Sequence, residues 1–93
     1  MQINWTLEAL ADFEFYIDWY IKEAGIDVAS NFIDVIDDII DNIKANKYIA
    51  RMVDDIPELR EYVVQQFPYV VSYWVKDESQ VIITSFLHQK RKK

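Results

Sequence analysis

Two stretches of the chain place apolar residues at every third or fourth position, which is the spacing of one face of an α-helix. The first begins after Thr6, a residue type that caps helix N-termini, and ends at Gly25, the only glycine, which suits the left-handed backbone that stops helices. Its predicted buried stripe comprises Leu10, Phe13, Ile17, Tyr20, Ile21 and Ala24.

The second stretch, residues 28–44, has the clearer pattern of the two. Its predicted buried stripe comprises Ala29, Phe32, Ile33, Ile36, Ile39, Ile40 and Ile43, with Asp34, Asp37, Asp38 and Asp41 on the opposite side. The predicted connection between the two helices consists only of residues 25–27. Because so short a connection reverses the chain, the helices are predicted to form an antiparallel hairpin.

The rest of the chain is rich in β-branched and aromatic residues and is typical of strands. The predicted strands are residues 2–5, 59–65, 67–75 and 81–87, and residues 48–53 are compatible with a further one. Turn signals at 54–57 and 76–80 separate them. Segment 67–75 is apolar on both sides except at Ser72, so we expect it in the middle of the sheet with both faces covered. The predicted fold is α+β, in the order β-α-α-β-β-β, with the helical hairpin packed on one face of an antiparallel sheet.

Composition narrows the class of protein. The chain has 93 residues, 52% hydrophobic and 15% aromatic, which predicts one folded domain over residues 1–93 and excludes a disordered chain. The absence of cysteine excludes disulfides and thiolate metal sites, and a single glycine leaves no phosphate-binding loop, so no cofactor is expected. We find no bilayer-spanning apolar run and no signal peptide, and therefore expect a cytoplasmic protein without a membrane partner.

The net charge of −6 is distributed unevenly. Residues 1–43 carry ten acidic side chains against Lys22 alone, whereas residues 44–93 carry six acids against nine bases. Four of those bases end the chain: Lys90, Arg91, Lys92 and Lys93. They are either a solvated charge run or a contact with a polyanion or an acidic partner.

Three short motifs in the second half of the chain resemble a known family. They are L-R at residues 59–60, F-P-Y-V-V-S-Y at 67–73, and L-H-Q-K-R at 87–91, and they follow a short strand that ends at Trp5 and a helix pair. In this order, over essentially the whole chain, they resemble the RelE/ParE superfamily of toxins from bacterial type II toxin–antitoxin pairs, which includes plasmid stabilisation proteins.

The resemblance implies a small toxin that a cognate antitoxin keeps inactive. Members of the superfamily are either metal-independent endoribonucleases that cut mRNA on the ribosome or inhibitors of DNA gyrase that perform no catalysis. RNA-cleaving members are usually basic, because phosphate contacts supply much of their binding free energy. The excess of acidic residues in this chain argues against mRNA cleavage on the ribosome, but the choice between the two targets stays open.

The family's chemistry singles out several candidate catalytic residues. Arg60 could contact a phosphate, and His88 could donate or accept a proton near neutral pH. Arg91 or Lys90 could add positive charge, and Tyr69 or Tyr73 could stack on the substrate or protonate it. We expect the helical hairpin to cover one side of the sheet and to leave the opposite side open around Arg60 and His88.

Each candidate also has a structural alternative. Arg60 could pair with Glu58 or Glu61, His88 could have a capping role, and the two tyrosines could pack in the core with bonded hydroxyls. Phe15 and Trp19 are either a second core edge or an exposed aromatic patch for a partner, and we favour the patch. Lys90 and Lys92 are the basic residues expected to contact that partner.

Two hypotheses from other classes remain. One is a non-catalytic binding module on the same scaffold, such as an inactive toxin relic or an antitoxin decoy. The other is an acidic mimic of nucleic acid, formed by the aspartates of the second helix.

Overall fold

The computed structural model describes residues 1–89 and confirms the α+β class. The elements are β1 Gln2–Trp5, α1 Leu7–Glu23, α2 Ile26–Ala45, β2 Arg51–Val53, β3 Ile56–Val63, β4 Tyr69–Asp77 and β5 Gln80–His88. The candidate strand at 48–53 is reduced to the three residues of β2. The order is therefore β-α-α-β-β-β-β, with one short strand more than predicted.

The five strands form one sheet in the order β1-β5-β4-β3-β2, which places β4 in the centre as predicted. Neighbours pair antiparallel except at one edge, where β1 runs parallel to β5, with Gln2 opposite Gln80 and Trp5 opposite Ile83. The prediction of a wholly antiparallel sheet is wrong in this respect. A hydrophobic pattern gives the faces of a strand but neither its neighbour nor its direction, and β1 pairs with the strand farthest from it in sequence.

The turn between β2 and β3 is tighter than predicted. Asp54 and Asp55 both have positive φ, 53° and 60°, as the two central residues of a type I′ hairpin turn require. Ile56 and Pro57, predicted as part of the turn, instead begin β3. Proline is tolerated there because Pro57 has no paired partner: the pairing of β3 with β2 is interrupted between Ile56 and Arg60, and its pairing with β4 begins only at Leu59.

Both ends of α1 form as predicted. The Thr6 hydroxyl accepts a hydrogen bond from the Ala9 N–H at 3.0 Å and donates one to the Thr84 carbonyl at 2.9 Å, which ties the helix N-terminus to β5. At the other end, Gly25 adopts φ +102°, a backbone that other residues adopt only with strain. The chain then turns directly into α2 and completes the hairpin.

The core lies between the helical hairpin and one face of the sheet. The α2 stripe is buried or half-buried as predicted, and it packs against β4 side chains at alternate positions from Tyr69 to Val75. The α1 stripe is partly wrong, because Leu10 and Ile21 are 42% and 44% exposed and Ala24 is exposed as well, whereas Ala9, outside the predicted stripe, is buried. Apolar residues surround most of α1, so spacing alone does not decide which of its sides faces inward.

Within residues 1–89, neither helix is long and apolar enough to cross a membrane.

Candidate functional site

Arg60 lies on the helix side of the sheet, not on the open side where we expected it. It stands opposite Tyr73 of β4, and directly paired residues project to the same face. Tyr73 is fully buried beneath the helical layer, so the expectation of an open-face Arg60 is wrong. The physical reason is strand parity: a shift of one residue along a strand moves a side chain to the other face.

The Arg60 guanidinium holds backbone carbonyls of the segment that leads into β2. Its Nε donates to the Pro57 carbonyl at 2.7 Å, and its Nη1 donates to the Ala50 carbonyl at 2.9 Å. The guanidinium also lies 4.9 Å from the centre of the Tyr48 ring. The Tyr73 hydroxyl supports the same segment by donating to the Lys47 carbonyl at 2.9 Å. In this arrangement Arg60 acts as a structural clamp.

The open face of the sheet instead holds a different arginine. Arg51 of β2 stands opposite Glu61 of β3, and its Nη2 is 3.1 Å from the Glu61 Oε1. The suggested ion pair of Arg60 with Glu61 is therefore wrong, because successive residues of a strand point to opposite faces and Glu61 lies on the open face with Arg51. A shallow depression of about 290 Å³ at this edge is lined partly by Arg51 and Glu61. Sequence reasoning missed this pair because only the register brings residues 51 and 61 together.

His88 ends β5 and lies opposite Tyr69 of β4, which also places it on the helix side. The two rings meet edge-on with their centres 5.6 Å apart. The expectation of an open-face His88 is wrong for the same reason of parity. His88 and Tyr69 line a groove of about 240 Å³ together with three residues of α1: Phe15, Tyr16 and Trp19. We call this the aromatic groove.

Arg60 and His88 share a face of the sheet but do not form one site. Their partners on β4, Tyr73 and Tyr69, are four residues apart, and the two residues lie on strands on either side of β4. Strand geometry then separates their backbones by about 13 Å along the strands and about 10 Å across them, or about 16 Å in all. With the Arg60 guanidinium held by the carbonyls of Pro57 and Ala50 and the His88 ring packed against Tyr69, the two side chains do not converge on one phosphate.

Tyr69 and Tyr73 belong to the core. Tyr69 is 4% exposed, and its hydroxyl accepts a hydrogen bond from the Tyr20 hydroxyl at 3.2 Å. Burial, followed by the bond to Tyr20, raises the pKa of Tyr69 far above its ordinary value. Burial likewise raises the pKa of Tyr73, although its backbone partner Ala50 and the charge of Arg60 oppose the shift. Neither hydroxyl is placed to donate a proton to a substrate.

Phe15 and Trp19 are exposed, as the patch hypothesis requires. Their exposed fractions are 64% and 49%, and both rings border the aromatic groove. Sequence reasoning missed Tyr16 as a groove residue. The signal was present, since a residue three positions before Trp19 is its neighbour on the helix surface.

Gln89 fixes the end of the described chain beside this groove. Its side-chain amide donates to the Tyr69 carbonyl at 3.1 Å and to the Val64 carbonyl at 3.2 Å, while its own N–H donates to the Pro68 carbonyl at 2.8 Å. The predicted roles of Lys90, Arg91 and Lys92 lie outside the described residues. Among residues 1–89, no cluster of three or more His, Asp or Glu side chains is arranged to hold a metal ion.

Comparison with known proteins identifies the family. A sequence model described as the ParE toxin of the type II toxin–antitoxin system, parDE, matches residues 3–93. The chain belongs to the ParE toxin family. Its fold is similar to that of a solved structure titled "Chromosomal ParDE TA system from P. aeruginosa", with 22% identity, a TM-score of 0.76 and 95% coverage of each chain.

A second solved structure has the same fold as this ParE family member. It is titled "YoeB/ParE toxin from Agrobacterium tumefaciens", with 16% identity, a TM-score of 0.69, and coverage of 95% of this chain and 98% of the other. Among curated proteins, none matches the sequence significantly. The family match confirms the resemblance drawn from the motifs at residues 59–60, 67–73 and 87–91.

Proposed function

We propose that residues 1–93 form one cytoplasmic toxin domain that stops growth by binding a protein target, DNA gyrase, and that a cognate antitoxin neutralises it. The observation that carries the choice of gyrase over mRNA is that Arg60 and His88 do not converge: the Arg60 guanidinium is held by backbone carbonyls, and strand geometry puts its backbone about 16 Å from that of His88. The sequence match over residues 3–93 shows the toxin family and supports the proposed pairing with an antitoxin.

The chemistry of RNA cleavage supports this choice. Cleavage without a metal needs a proton acceptor, a proton donor and fixed positive charge around one phosphate. In the described residues, Arg60 is occupied by backbone carbonyls, Arg51 is paired with Glu61, and the hydroxyl of Tyr69 is buried. Of the candidates in the described part this leaves His88, which borders the aromatic groove together with the buried Tyr69.

The distribution of charge and apolar surface supports a protein target as well. The helical hairpin lies within the acidic half of the chain, which would repel RNA phosphates. The exposed rings of Phe15 and Trp19 are of the residue types that anchor protein interfaces.

The test has two steps. The chain is first induced alone in a bacterium, and we expect growth to stop. The purified protein is then incubated with gyrase, relaxed circular DNA and ATP, and separately with translating ribosomes and mRNA. We expect loss of gyrase supercoiling and intact mRNA, and the His88→Ala variant should leave mRNA intact as well.

Two results would overturn the proposal. Cleavage of mRNA on the ribosome, lowered by His88→Ala, would assign the chain to the nuclease branch. Unaltered growth with soluble protein present would favour the alternative of a non-catalytic binding module. The exposed Trp74→Ala on the other face of the sheet serves as a control for expression and folding.

A further inference from the structure

The open face of the sheet carries three rows of side chains that cross its strands. Directly paired residues of neighbouring strands stand side by side on one face, so the register gives each row. The middle row, which we call the polar row, crosses four strands: Arg51, Glu61, Ser72 and Ser85. The rows on either side of it, the apolar rows, are Val63, Val70 and Leu87 on one side and Leu59, Trp74 and Ile82 on the other. Along the strands, the open face therefore has the order apolar, polar, apolar.

The apolar rows lie on a face that neither helix covers, because the helical hairpin packs on the other side of β4. Val70 is only 1% exposed, between its paired neighbours Val63 and Leu87. At the ends of the rows, however, Trp74 and Leu87 are 39% and 38% exposed. A cluster of apolar side chains that reaches solvent in this way is typical of a surface that another molecule covers.

The polar row is held in place by contacts of its own. The Arg51 Nη2 lies 3.1 Å from the Glu61 Oε1, and the Glu61 side chain is only 12% exposed. On β5, the Thr84 hydroxyl donates to the Ser72 carbonyl at 3.0 Å and lies 3.1 Å from the Ser72 hydroxyl. Because these side chains are already ordered, they lose little entropy when a partner binds.

Charge favours a second copy of the chain as that partner on this face and disfavours it elsewhere. Residues 1–89 contain 16 acidic side chains against six lysines and arginines, because four of the ten bases are residues 90–93. Ten of the acids lie on the two helices, where Lys22 and Lys44 are the bases. Two copies therefore repel each other through their helices but not through their open faces, where Arg51 balances Glu61.

Face-to-face packing also keeps the acidic helices apart. Two sheets that pack on each other are about 10 Å apart, and here the helices would lie on the outer side of each sheet. The two helical layers are then separated by more than a Debye length of ~8–10 Å, so salt screens most of their repulsion.

The order of the rows is self-complementary. A two-fold axis parallel to β4 places each row against the same row of a second copy, so that apolar side chains meet apolar ones. The axis also exchanges β3 with β5, which places Glu61 opposite Ser85 of the second copy and Val63 opposite its Leu87. A carboxylate then faces a hydroxyl donor, and no two like charges of the polar row meet.

We propose that the open face is the contact surface of a homodimer, in which two copies pack their sheets face to face about a two-fold axis along β4. The rows extend about 14 Å along the strands and about 10 Å across β3, β4 and β5. So small a contact is typical of a transient interface, and we expect a dissociation constant of roughly 100 μM. Both helical hairpins stay on the outside, so the dimer does not depend on the toxin's target.

Sedimentation equilibrium of the full chain tests the dimer at concentrations from about 10 μM to about 1 mM, on either side of that constant. We expect the mass to rise from that of a monomer to that of a dimer. In 15N-labelled protein, the indole N–H signal of Trp74 should shift over the same range, whereas that of Trp19, on the helix side, should stay. Added salt should strengthen the association, because it screens the repulsion between the acidic helices.

Matched variants locate the contact. Trp74→Ala should weaken association about tenfold or more, as truncation of a central aromatic ring does, whereas Trp19→Ala should leave it unchanged. Leu87→Lys places two charges in the contact and should abolish the dimer, whereas Leu10→Lys makes the same change on α1 at a similar exposure, 42%, and should not. Circular dichroism checks that each variant is folded. Growth arrest by Trp74→Ala should equal that of the wild type, so failure of the dimer is distinguishable from failure of the toxin assignment.

Four results would overturn the proposal. A monomer mass at every concentration would exclude the dimer. Loss of association in Trp19→Ala and not in Trp74→Ala would place the contact on the helix side. Weaker association at high salt would mean that ion pairs, and not the apolar rows, hold the copies together. A Trp74 signal that is insensitive to protein concentration but shifts with added single-stranded RNA would make nucleic acid the occupant of this face.

Discussion

Replacement of Arg60 by alanine distinguishes a structural clamp from a catalytic arginine. The clamp donates to the carbonyls of Pro57 and Ala50 at 2.7 and 2.9 Å and covers the Tyr48 ring. A hydrogen bond from a charged donor contributes about 1.5–3 kcal/mol when buried, and we take about 1 kcal/mol for each of these half-exposed bonds. With about 0.5–1 kcal/mol for the ring contact, Arg60→Ala should lower the free energy of unfolding by about 3 kcal/mol.

Urea unfolding, followed by tryptophan fluorescence, measures this loss. For a slope of roughly 1.5 kcal/mol per molar urea, the midpoint should fall by about 2 M. Arg60→Lys keeps the charge and one donor but not the forked geometry, so it should lose about half as much. Lys44→Ala, which removes an exposed positive charge at the end of α2, is the matched control and should change stability by less than about 0.5 kcal/mol.

The reasoning would be refuted if Arg60→Ala were no less stable than Lys44→Ala. If Arg60→Ala also abolished growth arrest while stability was unchanged, Arg60 would act on the target itself. Growth arrest by Arg60→Lys, compared at equal levels of soluble protein, should remain close to that of the wild type.

Three further predictions concern stability, each measured by urea unfolding. Burial raises the pKa of Tyr69, so at high pH the folded protein keeps a proton that the unfolded chain releases, and the free energy of unfolding should fall as pH rises above 10.0. The fall should be less steep in Tyr69→Phe, and equal slopes in the two proteins would contradict this role of Tyr69. Ile36 is 1% exposed, so Ile36→Ala should lower the free energy of unfolding by about 2–5 kcal/mol, whereas Ile21 is 44% exposed and Ile21→Ala should lower it by less than about 1 kcal/mol. Similar losses from the two variants would contradict the orientation of α1, which leaves Ile21 outside the core. Gly25→Ala should lower the free energy of unfolding by about 1 kcal/mol or more, because alanine is strained at positive φ; an unchanged stability would contradict the positive φ of residue 25.

Much of the fold could be predicted, because it depends on local interactions that are visible in the sequence pattern. In α2 the isoleucines and aspartates alternate at the helical period, so the buried and exposed sides separate without any tertiary information. Thr6 and Gly25 mark the ends of α1 because one offers a side-chain acceptor and the other tolerates positive φ. Residues 67–75 are apolar on both sides of the strand except at Ser72, which predicts a central strand, and β4 is central.

The candidate site was less predictable because it depends on register. Whether Arg60 faces the helices or the open side is decided by its pairing with Tyr73 and not with a neighbour of Tyr73. The distance from Arg60 to His88 depends on strand order as well, since β4 lies between their strands. Motif resemblance identified the family from these residues, but a motif carries no information on the face of the sheet to which each residue points.

The error in the α1 stripe comes from a second apolar row on the solvent side of this helix. A helix that only covers a core needs apolar residues on one side, and the polar opposite side then makes the period easy to read. In α1, Leu7, Phe15 and Trp19 add an apolar row on the side away from the core, so Leu10 and Ile21, between the two rows, fit the buried stripe although they are exposed. An amphipathic helix can therefore hold more apolar residues than the core can bury. These extra residues obscure the helical period in the sequence, and they form the exposed apolar side that a partner would cover.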